Sequence, residues 1–211
     1  MKELIENKII EEWKTEAKKN NKTLVLIICG DEGSGKDSRA KIIKNKFNLK
    51  RIVTSTNRPR CYGEVDGVDY HFLTNQEFDR AKNLMIAKAE HGYEKYGIEI
   101  TEFTDKIKQK QDCYLILDLN GLKEVKRTLQ KKYPNDFLVL SIYYQINEET
   151  YIEREKKKTS NMLKSYYEKG VNWNKQAHQE LKDTKLVDII VDTNEVIEEF
   201  QPKKKLFPKS R

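Results

Sequence analysis

The stretch TLVLIICGDEGSGKDSRA, residues 23 to 40, decides the fold. Its first eight residues form a largely apolar, β-branched run closed by Gly30, the pattern of a central parallel strand covered on both faces. From Gly30 the spacing Gly-x-x-x-x-Gly-Lys puts Gly35 and Lys36 in the register of a phosphate-binding loop. In such a loop backbone N–H groups and the start of a helix converge on phosphate oxygens. Gly33 and Gly35, with Ser34 between them, allow close backbone approach, and Lys36 supplies positive charge. The usual loop continues with Ser or Thr, whose hydroxyl holds Mg2+. Here Asp37 follows, and Ser38 comes one place late. A carboxylate beside a triphosphate is repulsive unless a cation lies between them, and Mg2+ accepts carboxylate oxygen readily. Asp37 and Ser38 are therefore the candidate metal ligands. A simpler role for Asp37 is its negative charge at a helix N-terminus.

Working outward, residues 3 to 19 read as an amphipathic helix with Leu4, Ile5, Ile9, Ile10, Trp13 and Ala17 roughly on one face. A helix is expected from about Lys36 to Phe47, then a short strand, RIVTST, at 51 to 56. CYLILDLNG at 113 to 121, FLVLSIYY at 137 to 144 and VDIIVDTN at 187 to 194 repeat the strand pattern between helical stretches. Apolar strands separated by helices predict an α/β fold with a parallel sheet and right-handed crossovers. Residues 57 to 103, richer in aromatics and glycines, read as a small inserted subdomain.

The 211-residue chain suits one domain able to bury a core. No stretch approaches the roughly 20 apolar residues of a membrane span, and the N-terminus lacks a signal-peptide core. A cytoplasmic protein without a membrane partner is expected. Cys29, Cys61 and Cys113 are far apart, which argues against a disulfide framework or a zinc site. The formal charge of +7 is spread among Lys interleaved with Glu and Asp. That reads as a solvated surface rather than a nucleic-acid site, and it suits a phosphorylated small-molecule substrate. Nothing in the sequence sets an oligomeric state, and the first helix can pack on the core or on a second subunit.

A second signal lies in TSTNRPRCYGEVDGVDYHFLTNQEF, residues 54 to 78. Arg58 and Arg60, one residue apart, suit bidentate recognition of a phosphate, and Tyr70 adds a hydroxyl. With GEVDGVDYHF in it, the chain resembles the guanylate kinase family from about Leu24 to Phe200. The resemblance implies a P-loop kinase core with a central parallel sheet flanked by helices, an inserted nucleotide-monophosphate subdomain at 57–103 and a mobile lid at about 148–182. The helical extension at 1–22 and a basic tail at 201–211 flank the 23–200 domain. It implies transfer of the γ-phosphoryl group of ATP to GMP or dGMP with Mg2+. The loop (Gly30, Gly33, Ser34, Gly35, Lys36, Asp37, Ser38) would then hold ATP. Thr54, Arg58, Arg60, Tyr70, Tyr96 and Asp118 would form the acceptor side, with Arg154 the lid arginine. Lys36, Asp37 and Arg154 are the catalytic candidates.

The departures fall where the family reads guanine. Ile98 follows Tyr96-Gly97 in place of Ser or Thr, and Ala87 stands in place of a glutamate, with Glu90 and Glu94 nearby but out of register. Cys61 holds the position of the second arginine, with Arg60 one residue early. The Gly-Lys-Asp-Ser ending is similar to the loop of ribose 1,5-bisphosphate phosphokinases, which read no base. A sugar bisphosphate or other phosphometabolite is thus an alternative acceptor, and a guanylate-kinase-like binding module without catalysis is an alternative of another class.

Overall fold

The computed structural model describes residues 2–158 and 164–194; the basic tail at 201–211 lies outside them. In chain order the elements are α1 (Lys2–Lys19), β1 (Thr23–Gly30), α2 (Lys36–Phe47), β2 (Lys50–Arg51), β3 (Thr54–Thr56), β4 (Tyr70–Phe72) and α3 (Asn75–Ala81). A 3-10 turn at Lys82–Leu84 leads to β5 (Met85–His91), β6 (Glu94–Glu99), α4 (Ile100–Lys108), β7 (Cys113–Ile116) and α5 (Leu119–Lys132). β8 (Phe137–Gln145), α6 (Glu148–Lys158), α7 (Lys164–Asp183) and β9 (Ile189–Asp192) complete the set.

Five strands form a parallel sheet in the order β2-β7-β1-β8-β9. β1 is buried along Thr23–Cys29, and its side chains alternate between two cores. Leu24, Leu26 and Ile28 pack with α1 and α2 through Ile10, Ala17, Ala40, Ile43 and Phe47. Val25, Ile27 and Cys29 pack on the other face with α5, through Leu122 and Val125, and with Phe103 of α4. The sheet is therefore covered on both sides, as its unbroken apolar strands require. Cys29 and Cys113 are buried free thiols in this core. Among the described residues no helix is long and apolar enough to cross a membrane.

A second, mixed sheet runs β4-β3-β6-β5, with β3 parallel to β4 and antiparallel to β6. Here the structure corrects the single strand expected at 51–56. Arg51 ends β2 in the main sheet, Thr54 begins β3 in the second, and buried Ile52 and Val53 cross between them. Each backbone donor in the crossing finds its own acceptor: Ile52 N–H bonds Tyr114 O at 2.9 Å and Val53 N–H bonds Glu102 Oε2 at 3.2 Å. Thr74 and Glu77 start α3 with a reciprocal capping box.

α1 lies on the core of its own chain. Ile10 and Ala17 are buried, and Ile9 and Trp13 pack beside them. Ile5, expected on the same face, is 54% exposed, and the buried residue next to it is the carboxylate Glu6. The inward face near the start of this helix is polar because Arg39 and Tyr144 wait beneath it.

Candidate active site

The loop between β1 and α2 lies at the carboxyl end of the central strand, where the order of the sheet turns outward in both directions. That is the crevice where open α/β sheets bind ligands. Gly33 and Gly35 both take left-handed conformations, with φ of 76° and 82°. A Cβ on Gly35 would meet nothing within 4 Å, so this side of the loop is open. Gly35 caps α2, whose first-turn N–H groups have no acceptor within the helix. The buried Ser34 hydroxyl has no hydrogen-bond partner among the described residues. Lys36 Nζ lies 3.4 Å from Asp31 O, curled over the loop. Asp37 and Ser38 are exposed on the first turn.

The loop is gripped from behind by residues distant in sequence. The buried Asp31 carboxylate accepts hydrogen bonds from Ile146 N–H at 2.8 Å and from the Tyr143 hydroxyl, and it pairs with His178 Nε2 at 2.6 Å. Burial and the neighbouring Asp31 carboxylate push the Tyr143 phenol pKa far up. Asn174 on α7 holds the backbone of Glu32 from both sides, accepting its N–H at 3.0 Å and donating to its C=O at 3.3 Å. Arg154 on α6 donates to Gly33 O at 3.0 Å and to Thr193 O at 2.5 Å, bridging the loop to the end of β9. Beside this grip lies a cavity of about 360 Å³ lined by Gln145, Asn147, Asn174, His178, Asp192 and Asn194.

The structure brings four of the acceptor candidates together. Thr54 and Tyr70 face each other on β3 and β4. Arg58 stacks over the Tyr70 ring at 5.4 Å and the Phe72 ring at 5.8 Å. Tyr96 packs edge-on to Tyr70 with ring centroids 6.0 Å apart. Arg58 is held by Glu64 at 2.6 Å and donates to Cys61 Sγ at 2.8 Å. The hydrogen bond to Glu64 raises the Arg58 pKa, and the same bond lowers that of Glu64. Burial raises the Tyr70 pKa against the opposing positive charges of Arg58 and Arg51. Burial and a 2.7 Å bond to Glu94 push the Tyr96 phenol up to about 12.

Two acceptor candidates stand apart from this cluster. Arg60 is exposed and makes no hydrogen bond or ion pair among the described residues. Asp118 ends the β7 segment and caps α5, accepting Gly121 N–H at 2.7 Å. Its backbone C=O faces Cys29 Sγ at 3.8 Å, which places Asp118 beside β1. Ala87 and Ile98 are paired across β5 and β6 and are 3% and 1% exposed.

The Guanylate kinase family profile matches residues 21–207. This chain belongs to the guanylate kinase family. The guanylate kinase of Lactococcus lactis subsp. lactis is 33% identical over 106 residues, covering 49% of this chain and 52% of that protein. That of Aster yellows witches'-broom phytoplasma is 30% identical over 129 residues, covering 59% and 60%. The chain thus spans about half to three-fifths of the length of these curated relatives. The crystal structure of guanylate kinase from Anaplasma phagocytophilum has the same fold, with a TM-score of 0.55 at 22% identity over 84% of this chain and 79% of that one.

Asp31, Tyr143, Asn174 and His178 were not legible as site residues. Each is separated from its partner by more than a hundred positions. One signal was present: an acid directly after a buried strand must find donors when it is itself buried.

Proposed function

We propose that this protein transfers the γ-phosphoryl group of ATP to the phosphate of a nucleoside monophosphate, GMP or dGMP, in the cytoplasm, where its three free cysteines suit a reducing environment. The observation that carries this reading is an open phosphate loop at the carboxyl end of β1 in the same chain as an Arg58–Tyr70–Tyr96 cluster on the second sheet. Lys36 and the amides of residues 33 to 38 hold the β- and γ-phosphates, and the amide-rich cavity beside α7 takes the base of ATP. Arg58, Tyr70 and Tyr96 hold the acceptor phosphate. One of its oxygens attacks the γ-phosphorus as the bond to the β–γ bridging oxygen breaks and ADP leaves. Positioning and charge neutralisation do most of this work. Arg154, already at the rim of the loop, exchanges its two carbonyl partners for phosphate oxygens as the lid closes.

Mg2+ needs only one or two protein oxygens besides phosphate and water, and exposed Asp37 and Ser38 fit that donor set. Bound there, it would neutralise phosphate charge. Asp37→Asn is expected to shift the magnesium dependence of turnover; an unchanged dependence removes Asp37 from the metal site.

A second reading is favoured by Ala87 and Ile98. Buried and apolar, they offer no hydrogen bond to a base, and a site without such groups loses discrimination by orders of magnitude. A sugar bisphosphate needs none. ADP release measured with GMP, dGMP, AMP, CMP, UMP, dTMP and ribose 1,5-bisphosphate separates the two. Stimulation by GMP or dGMP supports the first reading, stimulation by the sugar bisphosphate alone supports the second, and release with none of them makes the chain a binding module.

A further inference from the structure

We infer that α1 is a brace for the phosphate loop and that Glu6 is the positioning residue through which it acts. The inference takes from the proposed function only that residues 30 to 38 hold phosphates. α1 precedes the segment matched by the family profile, which begins at residue 21, so nothing in that match assigns it a role.

α1 runs alongside α2 and is tied to it at both ends. Glu6 binds Arg39 in the first turn of α2, and Lys14 Nζ donates to Phe47 O at its last residue, at 2.7 Å. Both ties join residues 33 positions apart, so the helices are parallel and stay in register over the eight residues between them. That is a length of about 12 Å. Ile10 and Ala17 fill the core side of α1 against Ala40, Ile43 and Phe47.

The Glu6 tie reaches both ends of the loop. One carboxylate oxygen accepts from Arg39 Nε at 2.8 Å and lies 2.6 Å from Arg39 Nη2 in the ion pair. The other accepts from the Tyr144 hydroxyl. Tyr144 in turn supports the start of the loop: its C=O accepts Asp31 N–H at 2.9 Å, and a Cβ on Gly30 would lie 2.7 Å from that same oxygen. Arg39 N–H bonds Gly35 O at 3.0 Å at the end of the loop. One buried carboxylate thus connects the residue that leads into the phosphate loop with the helix turn that leads out of it.

Covering an apolar surface does not require this arrangement. The Glu6 and Arg39 side chains are 3% and 6% exposed, and a buried ion pair contributes no more stability than a well-packed apolar pair. What it adds is a fixed register, the best-attested use of such pairs.

The test is the full chain carrying Glu6→Leu, Arg39→Leu and Tyr144→Phe together, which removes the carboxylate, the guanidinium and the hydroxyl of this tie as a set. Its melting temperature should stay near that of the unaltered protein. Two local readouts should move. Hydrogen exchange of the peptide spanning residues 29 to 40, without ligand, should quicken about tenfold, reporting a loosened loop. The ADP dissociation constant by calorimetry should rise about tenfold, equivalent to about 1.4 kcal/mol. Both readouts unchanged in a variant of normal melting temperature would overturn the brace. If the triple variant does not fold, Glu6→Gln, which keeps the shape and the acceptor for Tyr144, is read in the same two ways. Failure of the unaltered protein to bind ADP counts against the proposed function instead, and the exchange measurement still decides the brace.

Discussion

Replacing Gly33 by alanine perturbs the loop in two separable ways. At φ 76° any Cβ is strained, and here it would also lie 2.6 Å from Tyr151 Cδ2 and 3.2 Å from Cε2. The ring cannot simply retreat. Tyr151 is fully buried, and its hydroxyl end is so close to Gly170 that a Cβ there would collide with it. The left-handed strain costs about 1–2 kcal/mol, and overpacking a filled site adds about 1–3 kcal/mol. Gly35→Ala is the internal control: its φ is 82°, but its Cβ points into open space, so it carries the strain alone. Urea unfolding of the two variants isolates the steric part. Gly33→Ala should be the less stable of the two by about 1–3 kcal/mol. At this chain size that corresponds to a melting temperature lower by about 2–4 °C per kcal/mol. Stabilities equal within about 0.5 kcal/mol, the scatter of unremarkable surface changes, would refute the packing of α6 against the loop.

Three further outcomes are expected. Lys36→Ala should lower turnover at least about a hundredfold in a coupled ADP assay, the scale of removing one preorganised donor. Arg58→Lys keeps the charge but loses the planar fork and the stacking on Tyr70, so the acceptor KM should rise about tenfold while the ATP KM stays within about twofold. Tyr96 has a folded pKa of about 12 against 10.0 for a free phenol, so the unfolded chain releases this proton first. Its stabilising contribution is complete below pH 10 and is lost as the pH rises towards 12. Tyr96→Phe should therefore flatten the alkaline fall in stability across that window in urea titrations.

Much of the central sheet was legible because its strands are buried on both faces and so read as unbroken apolar runs. β1 and α2 lie where residues 23–30 and 36–47 predicted them. The crossing at Ile52 and Val53 was not legible, since two β-branched residues leaving one sheet for another look like the middle of a strand. Spacing brought out Arg58, Arg60 and Tyr70, and the family resemblance added Tyr96; Arg58, Tyr70 and Tyr96 cluster, whereas Arg60 lies exposed on its loop. The support behind the loop was invisible for another reason. His178 and Asn174 are ordinary polar letters on a long helix until the fold sets them against Asp31 and Glu32. Glu6 was hidden similarly, as one acid in a charged helix whose partner lies 33 residues away.

Transfer of phosphate from ATP to an acceptor phosphate is read by following the γ-phosphate. With γ-labelled ATP, Mg2+ and GMP or dGMP, label is expected in the nucleoside diphosphate, lost on chelation of the metal and in Lys36→Ala. Label released only as inorganic phosphate, or left entirely in ATP, would contradict it.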